Sequence, residues 1–64
     1  MFQITLEAAR VNAKLTQAEA AEKLGVSRQT LINWEKGKKP LKVADIKILS
    51  YVYNIPEDNI FLPS

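Results

Sequence analysis

The sequence of 64 residues contains no cysteine and no histidine. Neither a disulfide framework nor a Cys/His zinc site can staple the chain, so helix packing or self-association must hold it. The same absence removes the side chains most used as nucleophile and general base. The carboxylates Glu7, Glu19, Glu22, Asp45, Glu57 and Asp58 are accounted for by helix surfaces and helix N-termini. No catalytic constellation, metal site, cofactor or small-molecule ligand is indicated, and an enzyme is the least favoured class. No segment approaches the roughly 20 apolar residues of a membrane span. The opening Met1-Phe2-Gln3-Ile4 also lacks the basic stretch and long apolar run of a secretory signal. These absences, with the lack of cysteine, lead to the expectation of a soluble cytoplasmic protein without a membrane partner.

What is present fits one domain spanning residues 1–64, since a chain of this size buries only roughly 60% of the surface its unfolded form exposes. The formal net charge is only +2, but it is unevenly placed. Residues 25–42 carry Arg28, Lys36, Lys38, Lys39 and Lys42 against Glu35 alone, whereas the remainder carries four basic and six acidic residues. One short region is basic on an otherwise mildly acidic protein.

The three prolines and two glycines fall where helix boundaries are expected. Thr5 can cap a first helix running to about Ala13, with Leu6, Ala9, Arg10 and Ala13 on one face. Thr16-Gln17-Ala18-Glu19 has the form of a capping box and opens a second helix with Ala20, Ala21 and Leu24 inward, stopped at Gly25. Ser27 caps a third helix over residues 28–36, Val26 and Leu31 are spaced as a hydrophobic staple, and Gly37 follows its last turn. A fourth helix from about Leu41 to Tyr53 places Val43, Ile46, Leu49 and Tyr53 on one face and ends at Asn54. Ile48, Tyr51 and Val52 form a second apolar patch on it, which implies burial on two sides or contact with another chain. Pro56, Glu57 and Asp58 open a short fifth helix finishing in Ile60-Phe61-Leu62.

Two short helices joined by a three-residue turn containing glycine can cross steeply and present the second helix to a major groove. With Val26, Leu31 and Trp34 turned inward, the opposite face of the third helix carries Arg28, Gln29, Ile32, Asn33 and Lys36. Arg can donate two hydrogen bonds to guanine, Gln or Asn can pair with adenine, and Ile32 can meet a thymine methyl.

Leu15-Thr16-Gln17-Ala18-Glu19, Leu24-Gly25-Val26-Ser27-Arg28-Gln29-Thr30 and Trp34-Glu35-Lys36-Gly37-Lys38 together resemble the lambda-type phage repressor and Cro (XRE) helix-turn-helix family over nearly the whole chain. The resemblance implies an all-α, compact five-helix DNA-binding domain with its helix-turn-helix at about residues 17–36, acting as a homodimer on double-stranded DNA. By position it makes Arg28, Gln29 and Asn33 base readers beside Ile32, with Ser27 and Thr30 at the groove wall. It places Thr16, Gln17, Lys36, Lys38, Lys39 and Lys42 at phosphates, and it pairs Arg10 with Glu35 as a partly buried ion pair, which explains an arginine on an apolar face. A dimer contact is expected at Ile55, Pro56, Ile60, Phe61 and Leu62. Two positions depart from the family pattern: Ile32 stands where a small polar residue is common, and Pro56 where a capping serine is frequent. The expected function is a sequence-specific transcriptional regulator, a repressor. The alternative is a protein-binding module on the same fold, antitoxin-like or an adaptor; RNA binding is a weaker third, because an A-form major groove is too narrow for this helix.

Overall fold

The computed structural model describes residues 4–61. A two-residue strand β1 (Ile4–Thr5) leads into α1 (Leu6–Asn12), followed by α2 (Gln17–Leu24), α3 (Arg28–Glu35) and α4 (Val43–Tyr53). A single 3-10 turn (Glu57–Asn59) and strand β2 (Ile60–Phe61) complete it.

Local chemistry sets the helix starts. Thr5 Oγ1 accepts from the Ala8 N–H at 3.1 Å, and Ser27 Oγ accepts from the Thr30 N–H at 3.1 Å. At α2 the box is reciprocal: Thr16 Oγ1 accepts from the Glu19 N–H (3.1 Å) and Glu19 Oε1 from the Thr16 N–H (2.9 Å), satisfying two otherwise orphaned donors. These bonds hold the Glu19 carboxyl below its usual range, the backbone bond from Thr16 contributing most. The helix ends share one device. Lys14, Gly25, Gly37 and Asn54 follow α1, α2, α3 and α4 with φ of 63°, 75°, 72° and 56°. After α3 the Lys38 N–H reaches the Asn33 carbonyl (2.8 Å) and the Gly37 N–H the Trp34 carbonyl (3.1 Å), the paired bonds of a left-handed helix stop.

Three boundaries differ from the local reading. The first helix stops at Asn12, with Ala13 as its cap, because Lys14 turns left-handed and Leu15 bonds back to the Arg10 carbonyl (3.2 Å). That turn packs Leu15 against the core, which offsets the roughly 1–2 kcal/mol that a side chain costs in this conformation. The fourth helix starts at Val43, since the Lys42 N–H is capped by Asp45 Oδ2 at 2.9 Å. Val43 in that first turn is 68% exposed, and Leu41 packs against the core in its place.

The third difference is the expected five-helix architecture: among the described residues there are four α-helices and a 3-10 turn. Pro56, extended at ψ 146°, precedes only one turn of helical backbone, too short to repay helix nucleation. The chain then extends so that β2 pairs parallel with β1, Ile4 opposite Ile60 and Thr5 opposite Phe61. Ile60 is thereby 5% exposed, a member of the monomer core that does not offer its side chain to a second copy. Ile55 is half-buried against the same core and Pro56 is exposed, while Leu62 and the Phe61 side chain lie outside the described residues.

The core gathers Leu6 and Ala9 of α1, Ala20, Ala21 and Leu24 of α2, Leu31 and Trp34 of α3, Leu49 and Tyr53 of α4, and Ile60. Ala20 and Ala21 are small where α2 lies against α3 and α4. Of the second apolar patch on α4, Val52 packs inward, whereas Ile48 and Tyr51 remain exposed. Among the described residues no helix is long and apolar enough to cross a membrane.

Candidate nucleic-acid interface

The connection between α2 and α3 is Gly25, Val26 and Ser27. A Cβ at Gly25 would meet nothing within 4 Å, so glycine is required there by its left-handed backbone and not by crowding. Val26 and Leu31 flank the Ser27 cap in the staple arrangement, with Leu31 fully buried and Val26 packed against the core. Leu31 and Trp34 thus anchor one side of α3 and fix which side is left to solvent.

On that solvent side Arg28, Gln29 and Lys36 are exposed, while Ile32 and Asn33 are half-buried. The readers are therefore graded, and the face is not uniformly outward. Gln29 Nε2 donates to Asn33 Oδ1 at 3.1 Å, one turn along the helix, so these two amides are held together as a unit. Ser27 Oγ donates to Thr30 Oγ1 at 2.9 Å beside them. Lys36, Lys38, Lys39 and Lys42 are all exposed around the end of α3 and the start of α4. The ion pairs among the described residues are Arg10–Glu35 and Lys47–Glu57, so Arg28 and these four lysines have no carboxylate partner there. Thr16 Oγ1 accepts its capping bond and keeps an O–H to donate.

Beneath this face lies a buried polar cluster. Arg10 Nε meets Glu35 Oε2 at 2.7 Å, with the two side chains only 10% and 5% exposed, and Arg10 Nη1 donates to the Leu15 carbonyl at 3.0 Å. The hydrogen bond to Glu35 holds the Arg10 guanidinium above its usual pKa against the opposing effect of burial. Gln17, expected at a phosphate, bonds within the domain through its side chain: Nε2 donates to Glu35 Oε1 at 3.2 Å, and Oε1 accepts from Arg28 Nη2 at a long 3.5 Å. The place of Gln17 at the start of α2 was legible in the sequence, but its partners on α3 depend on how the helices cross.

Trp34 is core, as expected, and Tyr53 closes the cluster from α4. Neither Trp34 Nε1 nor Tyr53 Oη has a hydrogen-bond partner among the described residues. Burial, with the Glu35 charge second, pushes the Tyr53 phenol from its ordinary 10.0 up to about 12. The folded state therefore holds this proton more tightly than the unfolded one. The resulting stability is present below pH 10 and is lost as pH rises from about 10 to about 12. Tyr53→Phe should remove that alkaline loss and leave neutral-pH stability unchanged or slightly higher, since it deletes an unpartnered buried hydroxyl. Urea unfolding at pH 7 and pH 11 checks this; an equal alkaline loss in wild type and variant would refute it.

A glycine-turned helix pair with one anchored side and one polar, cationic side defines a helix-turn-helix DNA-binding domain. The sequence matches the helix-turn-helix family HTH_3 over residues 6–60, and the chain belongs to this family, which is of the XRE, Cro and lambda repressor type. Its members are DNA-binding and not enzymatic. A search of curated proteins gave no match.

Proposed function

We propose that the protein is a sequence-specific transcriptional regulator, a repressor, that inserts α3 into the major groove of double-stranded DNA. The observation that carries this reading is the conjunction, within residues 28–42, of exposed Arg28 and Gln29 in the first turn of α3 with exposed Lys36, Lys38, Lys39 and Lys42, the five cations without carboxylate partners among the described residues. Arg28, Gln29 and Asn33 read base edges, Ile32 lies against a thymine methyl, Ser27 and Thr30 line the groove wall, and Thr16, Gln17 and the four lysines meet phosphates. A homodimer places two copies of α3 about 34 Å apart, one turn of DNA. Ile55, Pro56, Phe61 and Leu62 form its contact.

Selection from a random duplex library with a salt titration tests the reading, and a two-fold symmetric consensus is the expected result. On that site Arg28→Ala or Gln29→Ala should cost about 1–3 kcal/mol and relax choice at one base pair. Lys39→Ala should weaken all sequences about equally and lower the salt slope by about one unit per half-site. Retention of the parent's ranking of single-base variants by both α3 substitutions, with normal folding, would overturn the base-reading assignment.

A second reading, a protein-binding module on the same fold, is favoured by one observation: Tyr51 is 87% and Ile48 45% exposed on α4. It predicts that the duplex library enriches no sequence.

A further inference from the structure

A groove of about 610 Å³ lies between the α1–α2 turn and the C-terminal end of α4, lined by Ala13, Leu15, Lys23, Tyr51, Val52 and Asn54. It is open to solvent, and none of these six residues belongs to the surface assigned above to DNA. Leu15 and Val52 form its apolar floor, half-buried against the core, and Tyr51 stands exposed beside them. Its rim is cationic. Five of the nine basic residues lie within residues 25–42. Among the other four, Arg10 pairs with Glu35 and Lys47 with Glu57. The two that remain both stand at this groove, Lys23 in its lining and Lys14 in the turn between the lining residues Ala13 and Leu15. Neither has a carboxylate partner among the described residues, and the acid one turn before Lys23, Glu19, is committed to the Thr16 N–H. Lys14 moreover holds φ at 63°, a left-handed conformation that glycine adopts without strain and lysine does not. The burial of Leu15 fixes that backbone, but nothing in the turn itself makes use of a long cation.

We propose that this groove docks a segment of a partner protein in which carboxylates flank an apolar side chain. The apolar group covers Leu15, Val52 and Tyr51, and the carboxylates meet Lys14 and Lys23. Charge complementarity selects this occupant. A second copy applied through the same face would set one cationic rim against another, an arrangement that like charges oppose. A DNA backbone would supply the charge but nothing apolar for Tyr51 and Val52. An exposed tyrosine over an aliphatic floor, with charge at the edge, has the composition of an interface anchor and its rim. The proposal goes beyond DNA recognition and does not depend on it, since docking here leaves α3 uncovered.

The test selects a displayed library of random peptides on the full chain and measures an enriched peptide by fluorescence anisotropy. Enrichment of sequences that join Asp or Glu to Leu, Ile, Phe or Trp is the expected result. Tyr51→Ala and Lys23→Glu should each weaken the enriched peptide roughly tenfold, and its binding to wild type should fall as salt rises. A peptide with its carboxylates changed to amides should no longer distinguish Lys23→Glu from wild type. Lys14→Gly separates charge from backbone geometry. It relieves the left-handed strain, so it should melt no lower than wild type and still bind the peptide more weakly, whereas a purely conformational role would leave binding intact. Affinity for duplex DNA and its salt slope should be unchanged in all three variants. Failure to enrich acidic–apolar sequences would overturn the proposal, as would an enriched peptide that binds Tyr51→Ala and Lys23→Glu as tightly as wild type. A shallower DNA salt slope in Lys14→Gly and Lys23→Glu would make these cations phosphate contacts and overturn it equally. A concentration-dependent dimer in sedimentation that Tyr51→Ala abolishes would assign the face to a second copy instead.

Discussion

Arg10→Ala is expected to leave the protein largely unfolded or on the edge of unfolding under native conditions. The substitution strips the Glu35 carboxylate, 5% exposed, of its closest cation, and an uncompensated buried charge costs about 3–5 kcal/mol. A chain of this size has a total stability of only about 3–10 kcal/mol at the usual 0.05–0.15 kcal/mol per residue, so the loss is a large share of the whole. Glu35→Ala should be as damaging. It leaves the Arg10 guanidinium with the Leu15 carbonyl alone and takes the acceptor from Gln17 Nε2. The double variant Arg10→Met, Glu35→Leu should recover most of the loss, because packed apolar groups replace a buried pair at little net cost. Circular dichroism with urea titration measures all three. Single variants within about 1 kcal/mol of wild type would contradict the buried-charge argument.

Leu31→Ala should be the next most costly change, at about 2–5 kcal/mol, the range for emptying a fully enclosed leucine site. Leu31 has no exposed surface, sits between α2 and the rest of the core, and forms the helical half of the staple with Val26. Its truncation leaves a cavity at the point where α3 is pinned. Operator affinity should fall for every sequence alike, because no base reader is altered but the helix carrying them is less firmly held. This separates it from the α3 surface substitutions, which change preference. Thermal melting with binding to parent and scrambled duplexes checks it, and an unchanged melting temperature would show that the neighbouring side chains close the cavity without cost.

The stops and starts of the helices were legible in the residues because each is completed within three to five positions. Thr5, Thr16 with Glu19, and Ser27 cap groups in their own first turn, and Gly25, Gly37 and Asn54 take the left-handed conformation that their side chains tolerate. The Arg10–Glu35 pair was legible only through family resemblance, since nothing local links residues 25 positions apart. Lys14 gave no signal, because a lysine is not a residue that favours a left-handed turn; the burial of Leu15 behind it sets the conformation.

The sequence by itself thus determined the four α-helices, while also suggesting a fifth where the chain makes one 3-10 turn, together with the glycine turn between α2 and α3 and the cationic stretch over residues 25–42. Tertiary structure decided the fate of the ends and the second partners of the polar side chains. Ile60 left a helical reading for a parallel pairing with Ile4, and Leu41 displaced Val43 from the core. Gln17 turned from the α2 surface toward Glu35 and Arg28 on α3. The physical reason is common to these cases. A cap competes only with its own neighbours, whereas the burial of an isoleucine or the choice of an amide's partner depends on surfaces that exist only once distant segments have met.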